Sequence, residues 1–107
     1  MVDVKNLDIY SSIKEYIEKI QKKFNVEKAF LFGSFAFGSA TADSDIDIAI
    51  ISPSLSGNRF NDNVALGTLT WGINTRISPI GFIPEDFYND DMLAEEIRKN
   101  GIELPLN

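Results

Sequence analysis

Lys28-Ala29-Phe30-Leu31-Phe32-Gly33-Ser34 and, after ten intervening residues, Asp45-Ile46-Asp47-Ile48-Ala49-Ile50-Ile51 are the stretches that decide the fold of this 107-residue chain. The first is short, apolar and aromatic and stops at a glycine, which predicts a buried strand. The second is β-branched and alternating, which predicts another strand. Between them the small residues through Gly38-Ser39-Ala40-Thr41-Ala42 read as a loop or one short helical turn. Asp45 and Asp47 stand two apart on a strand, so both side chains leave the same face. Ala49 and Ile51 continue that face and are apolar. The acids therefore sit at the mouth of an otherwise buried face, where they repel each other. A hard cation with oxygen ligands relieves that conflict, and Mg2+ is usually held by one or two carboxylates plus substrate phosphates. Gly33 lets the backbone approach a ligand closely, and a following helical turn aims N–H groups at a phosphate, with the Ser34 hydroxyl as a further donor. A phosphate seat on one strand end beside a metal seat on the next strand is the geometry that phosphoryl or nucleotidyl transfer needs.

The flanking sequence supplies helices. Ile13, Tyr16, Ile17, Ile20 and Phe24 recur at steps of three and four, a helical stripe that Ser11 or Ser12 is expected to cap. Its other face carries Lys14, Glu15, Glu18, Lys19, Lys22 and Lys23, and the interleaved signs read as a solvated surface. After a loop at 52–63, Asn61 or Asp62 is expected to cap a helix over Val64, Leu66, Leu69 and Trp71, ending near Gly72 or Asn74, with Trp71 packing on it. Thr75 to Ile83 alternates as a strand that Pro79 confines to an edge, an end or a bulge. Pro84-Glu85-Asp86-Phe87 reads as a helix-starting turn. Asp90 or Asp91 then caps a helix with Met92, Leu93 and Ile97 on one face, which Gly101 ends before a last short strand at 102–104. The order α-β-β-α-β-α(-β) predicts an α/β (α+β) fold: a mixed sheet of about three to five strands with helices packed on it, in one domain over 1–107. Phe30, Phe32, Phe35 and Phe37 are read as core rather than as a platform for an adenine, with Phe35 and Phe37, which lie beyond the strand, the two placed to line a cleft.

Composition narrows the chemistry. The chain has no cysteine and no histidine, so thiol nucleophiles, disulfides, Cys- or His-ligated zinc and imidazole bases are excluded. A net charge of -6 argues against direct binding to nucleic acid. No signal peptide or membrane-length apolar run is present in the sequence, and the expected location is cytoplasmic.

Gly33-Ser34, ten residues, then Asp45-x-Asp47 with an apolar tail resembles the motif of the polymerase-beta-type nucleotidyltransferase superfamily, and above all its minimal stand-alone prokaryotic members of the MNT-like antitoxin family. Arg76-Ile77-Ser78-Pro79-Ile80-Gly81-Phe82, Pro84-Glu85-Asp86-Phe87, and Glu96-Ile97 through Gly101-Ile102 are similar to the C-terminal half of those domains. The resemblance implies a nucleotidyltransferase-like fold. It also implies that Gly33 and Ser34 meet the phosphates of a nucleoside triphosphate, and that Asp45 and Asp47 are catalytic and hold Mg2+ ions of a two-metal type. It further implies a small helical partner of the HEPN type. Two positions depart from the family. The third carboxylate falls on Ser78, and Phe37 stands where many relatives have Arg or Lys. Arg59 and Arg76 are the nearest basic residues in sequence, and Glu85 or Asp86 are the acids that can lean back toward the site. Two readings stay open: a Mg2+-dependent transferase moving a nucleoside monophosphate, AMP from ATP, onto a hydroxyl; and a module that binds nucleotide or docks a partner without turnover.

Overall fold

The computed structural model describes residues 3–89 and 91–106. A 3-10 turn at Val4–Asn6 leads into α1 (Tyr10–Gln21), β1 (Lys28–Phe32), α2 (Ser34–Phe37), β2 (Ile46–Ile51), α3 (Arg59–Thr68), β3 (Ile77–Phe82), α4 (Pro84–Phe87), α5 (Met92–Asn100) and β4 (Ile102–Glu103). The strands form one mixed sheet in the order β3-β2-β1-β4. β1 runs antiparallel to β2 and β4, while β2 and β3 are parallel with α3 as their crossover. The expected mixed sheet with packed helices is present. β3 is an edge strand, so Pro79 withdraws no hydrogen bond from a second neighbour.

Alternation along the strands splits the core into two layers. Ala29, Leu31, Ile46, Ile48, Ile50 and Ile77 face α1 and α3, where Ile13, Tyr16, Ile17, Ile20 and Leu66 close over them. Each fully buried Ile or Leu contributes roughly 1.5–3 kcal/mol by leaving water. Phe30, Ala49, Ile51 and Phe82 face the other way, against Phe87 of α4 and Ala94 and Ile97 of α5. The Phe87 ring stacks on Phe30 and meets Phe82 edge-on, each at 5.4 Å between centroids. The Asp45–Asp47 strand end belongs to this second layer.

Tyr16 joins the first layer by a polar bond. Its ring is fully buried, its hydroxyl donates to the Leu66 carbonyl at 2.8 Å, and burial pushes its ionisation well above the ordinary tyrosine range. Tyr16→Phe keeps the ring and removes the bond. It is expected to cost about 1 kcal/mol, lowering Tm by roughly 5 °C in a thermal melt.

Several expected element boundaries are corrected. Ser11 and Ser12 lie inside α1. Its N-cap is Ile9, which makes no side-chain cap, because the turn over 7–9 feeds straight into the helix through Tyr10 N to Leu7 O and Ile13 N to Ile9 O. α3 is capped by Asn58, whose side chain accepts from Asn61 N, and not by Asn61 or Asp62. Asp62 is buried and accepts instead from Ser56 N, Ser56 Oγ and Gly57 N, pinning the preceding loop. α3 also stops at Thr68, short of Gly72. Trp71 therefore lies beyond the helix and is 69% exposed, and Val64 faces solvent, so neither packs as expected. Asp91 does cap α5, accepting from Ala94 N, while Asp90 lies outside the described residues. Met92 and Leu93 point outward, and Ala94 and Ile97 carry the buried face of α5. Gly101 ends that helix with ordinary extended φ. What it supplies is space, since a Cβ there would fall 2.6 Å from the Ile97 carbonyl oxygen.

Candidate active site

β1 and β2 are antiparallel with Phe32 opposite Asp47, so the turn that leaves β1 lies beside the acids that open β2. Gly33 takes φ 70 and ψ -150, a region essentially reserved for glycine. A Cβ on Gly33 would lie 2.2 Å from Asp47 Oδ2. The Asp47 carboxylate is therefore pressed against bare backbone where a side chain has no room. α2 begins immediately after, with the amides of Ala36 and Phe37 bonded to the Gly33 carbonyl. The Ser34 hydroxyl and the Ser34 and Phe35 amides have no hydrogen-bond partner among the described residues. Gly33, Ser34, Asp45 and Asp47 are thus brought to one end of the two central strands.

Burial first, and the nearby Asp45 charge second, push the Asp47 carboxyl above its usual range. Asp45 itself is exposed at the rim. This is the frustrated pair expected from the strand alternation. The donor set suits a hard cation: two carboxylates with oxygen ligands only, beside a backbone cradle that a Cβ would fill. Asp45 and Asp47 are the residues that would hold such an ion. The parallel register places Ser78 directly beside Asp47, the strand position at which the resemblance puts a third carboxylate. Among the described residues no three acidic side chains cluster as a metal site.

The other sequence candidates go elsewhere. Glu85 and Asp86 follow Phe82, whose register partner is Ile51, at the opposite end of β2. Four residue steps along the strand separate Ser78 from Phe82, about 13 Å at roughly 3.3 Å per step. Neither acid leans back to the site. Arg59 pairs with Asp91 at 2.6 Å and stacks over Phe82, tying α3 to α5. Arg76 donates through Nε and one terminal nitrogen to the Ser44 carbonyl and lies over the Phe35 ring. It therefore anchors the residue before Asp45 to the start of β3 and to α2. Sequence reasoning marked Arg76 only as a basic residue, because a bond to a backbone carbonyl leaves no trace in residue type. Phe37 is not core: it is 63% exposed and lines a cleft beside Gly33, the role open to it as a residue beyond the strand.

A helix-backed mixed sheet with a glycine turn set against paired strand acids defines the nucleotidyltransferase fold class. The chain belongs to the family described as Polymerase beta, Nucleotidyltransferase, whose profile matches residues 13–104. Two proteins of Methanocaldococcus jannaschii, each described as a candidate protein adenylyltransferase, are similar to it. One is 33% identical over 82 residues, covering 69% of this chain and 54% of the relative. The other is 43% identical over 42 residues, covering 37% of this chain and 42% of the relative. The chain thus spans about half the length, or less, of these curated relatives. A crystal structure of a candidate nucleotidyltransferase from Sulfolobus solfataricus superposes with a TM-score of 0.63 at 22% identity, over 87% of this chain and 76% of that one. A toxin–antitoxin crystal structure with AMP-PNP superposes with a TM-score of 0.65 at 19% identity, over 94% and 75%. At these identities the two structures share the fold. No helix among the described residues is long and apolar enough to cross a membrane.

Proposed function

We propose that the protein is a Mg2+-dependent nucleotidyltransferase that moves a nucleoside monophosphate, AMP from ATP, onto a hydroxyl of a partner protein. The observation that carries this reading is the Gly33 backbone lying against the Asp47 carboxylate, with Asp45 beside it on the same face. Asp45 and Asp47 would hold the cation, and Gly33, Ser34 and the first amides of α2 would meet the phosphates. A bound cation supplies charge neutralisation for the triphosphate and lowers the pKa of an attacking hydroxyl. In the transfer the acceptor oxygen bonds to the α-phosphorus. The bond from that phosphorus to its bridging oxygen breaks, and pyrophosphate leaves with the electron pair. Within the site, the carboxylates of Asp45 and Asp47 are the groups able to take the hydroxyl proton. The partner suggested by the family resemblance is a small helical protein of the HEPN type, with this chain in an antitoxin-like role. The toxin–antitoxin structure with AMP-PNP, which shares the fold, supports a nucleotide and a partner.

One observation favours a second reading, a nucleotide-binding or partner-docking module with little turnover: Ser78 occupies the position beside Asp47, and among the described residues no third acid replaces it. Loss of an acid–base group commonly lowers rate about 10²–10⁴-fold. Ser78→Asp separates the two. It is expected to raise pyrophosphate release from Mg2+–ATP about tenfold or more, while lowering apo stability through a third repelling charge. Asp45→Asn is expected to abolish release in both backgrounds. If wild type releases no pyrophosphate and Ser78→Asp does, the module reading stands. If Asp45→Asn leaves release unchanged in whichever background, wild type or Ser78→Asp, releases pyrophosphate, the site assignment fails.

A further inference from the structure

A small cleft opens beside the Gly33 turn, lined by Phe32, Gly33, Phe37, Glu96, Asn100 and Gly101, with a volume of about 90 Å3. Its walls are mainly apolar, and its polar members lie on α5, where Asn100 Nδ2 donates to Glu96 Oε1 at 2.9 Å. Phe37 leaves 63% of its surface to water, although it is a large aromatic side chain on a four-residue helix. The cleft suits one ring system: ligand pockets for larger molecules run from roughly 300 Å3 upward.

Its position identifies the ring. Gly33 lines the cleft and also abuts Asp47 Oδ2, and Phe32 is the register partner of Asp47. A ring in the cleft is therefore within one nucleotide's length of phosphates seated at Gly33-Ser34. We infer that this cleft takes the nucleobase of the bound triphosphate, with Phe37 as its stacking platform. The inference rests on the triphosphate reading of the site. A planar base on an aromatic face gains stacking energy whatever its identity, and removing such a platform typically weakens binding about 5- to 100-fold.

The test is calorimetric titration in Mg2+ of wild type, Phe37→Ala and Phe37→Trp, each with ATP and with inorganic tripolyphosphate. The exposed position allows both variants to fold, and a thermal melt verifies this. Phe37→Ala is expected to bind ATP about 5- to 100-fold more weakly than wild type while binding tripolyphosphate equally well, and Phe37→Trp is expected to restore ATP affinity. If wild type binds both ligands and Phe37→Ala leaves ATP unchanged, or weakens both alike, the nucleobase assignment is overturned, with unchanged ATP affinity leaving the cleft to an acceptor side chain. If wild type binds neither ligand, the triphosphate reading itself fails, and the base assignment falls with it.

Discussion

Gly33→Ala is expected to lower Tm by about 10 °C or more. Two separate penalties add. The left-handed φ with extended ψ costs an L-residue about 1–3 kcal/mol, and the new methyl would meet Asp47 Oδ2 at 2.2 Å, forcing the carboxylate aside. A combined loss of about 2–4 kcal/mol shifts the melting point of a chain this size by roughly 10–25 °C. Gly72 provides the control. It also has positive φ, but a Cβ there meets nothing within 4 Å, so Gly72→Ala carries only the backbone penalty. In an Asp47→Ala background Gly33→Ala should become closer to Gly72→Ala, because the clash partner is gone. Differential scanning calorimetry of the four variants checks this. Equal losses for Gly33→Ala and Gly72→Ala would mean that the turn and the acid are not in contact.

Asp47→Asn is expected to stabilise the ligand-free protein while removing its metal-dependent nucleotide binding. Burial and the Asp45 charge hold the Asp47 carboxyl above its usual range, so folding works against its ionisation. For a carboxyl raised in the folded state, the stability contribution is fully present below the unfolded value. It is lost as pH rises through the higher folded value. The wild type should therefore gain on the variant as pH falls through the carboxylate range and lag behind it at neutral pH. Asp47 is only partly buried, so the gain in Tm is expected to be a few degrees at most. Asp91 works in the opposite sense: its hydrogen bond from Arg59 holds its carboxyl low, and that contribution is lost on acidification. The variant-minus-wild-type difference in Tm across pH isolates Asp47, because Asp91 is common to both. A flat difference would show that Asp47 is not strained, which removes the reason for a cation there.

The strands and the acidic pair were legible because each depends on local pattern alone. Period-two alternation puts Asp45 and Asp47 on one face in any register, and the apolar residues after them make that face a core face. Pro79 marked the edge strand for a similar reason, since proline cannot donate to a neighbour. The helix ends were less legible because several residues compete for each role. Asn58, Asn61 and Asp62 can all cap α3, and the outcome was set by the loop at 52–58, whose amides claimed the Asp62 carboxylate. The buried phase of α5 was misread for want of contrast. Met92 and Leu93 are the more apolar pair, but the close approach of the helix to β1 admits only Ala94 and Ile97. Phe37 was read as core because aromatic residues usually are. Only the turn at Gly33 and the shortness of α2 swing it to the surface. The pairing of the acids on one face was thus visible in residue types, while most of the walls around them required the fold.

The most direct test of the account is a calorimetric titration of the protein with ATP, with and without Mg2+, repeated on Asp47→Asn. Saturable binding that requires the metal is expected in wild type and is expected to disappear in the variant, while the variant melts no lower than wild type. ATP binding that persists without Mg2+, or that survives in Asp47→Asn, would contradict the placement of a cation-assisted triphosphate site at Gly33, Ser34, Asp45 and Asp47.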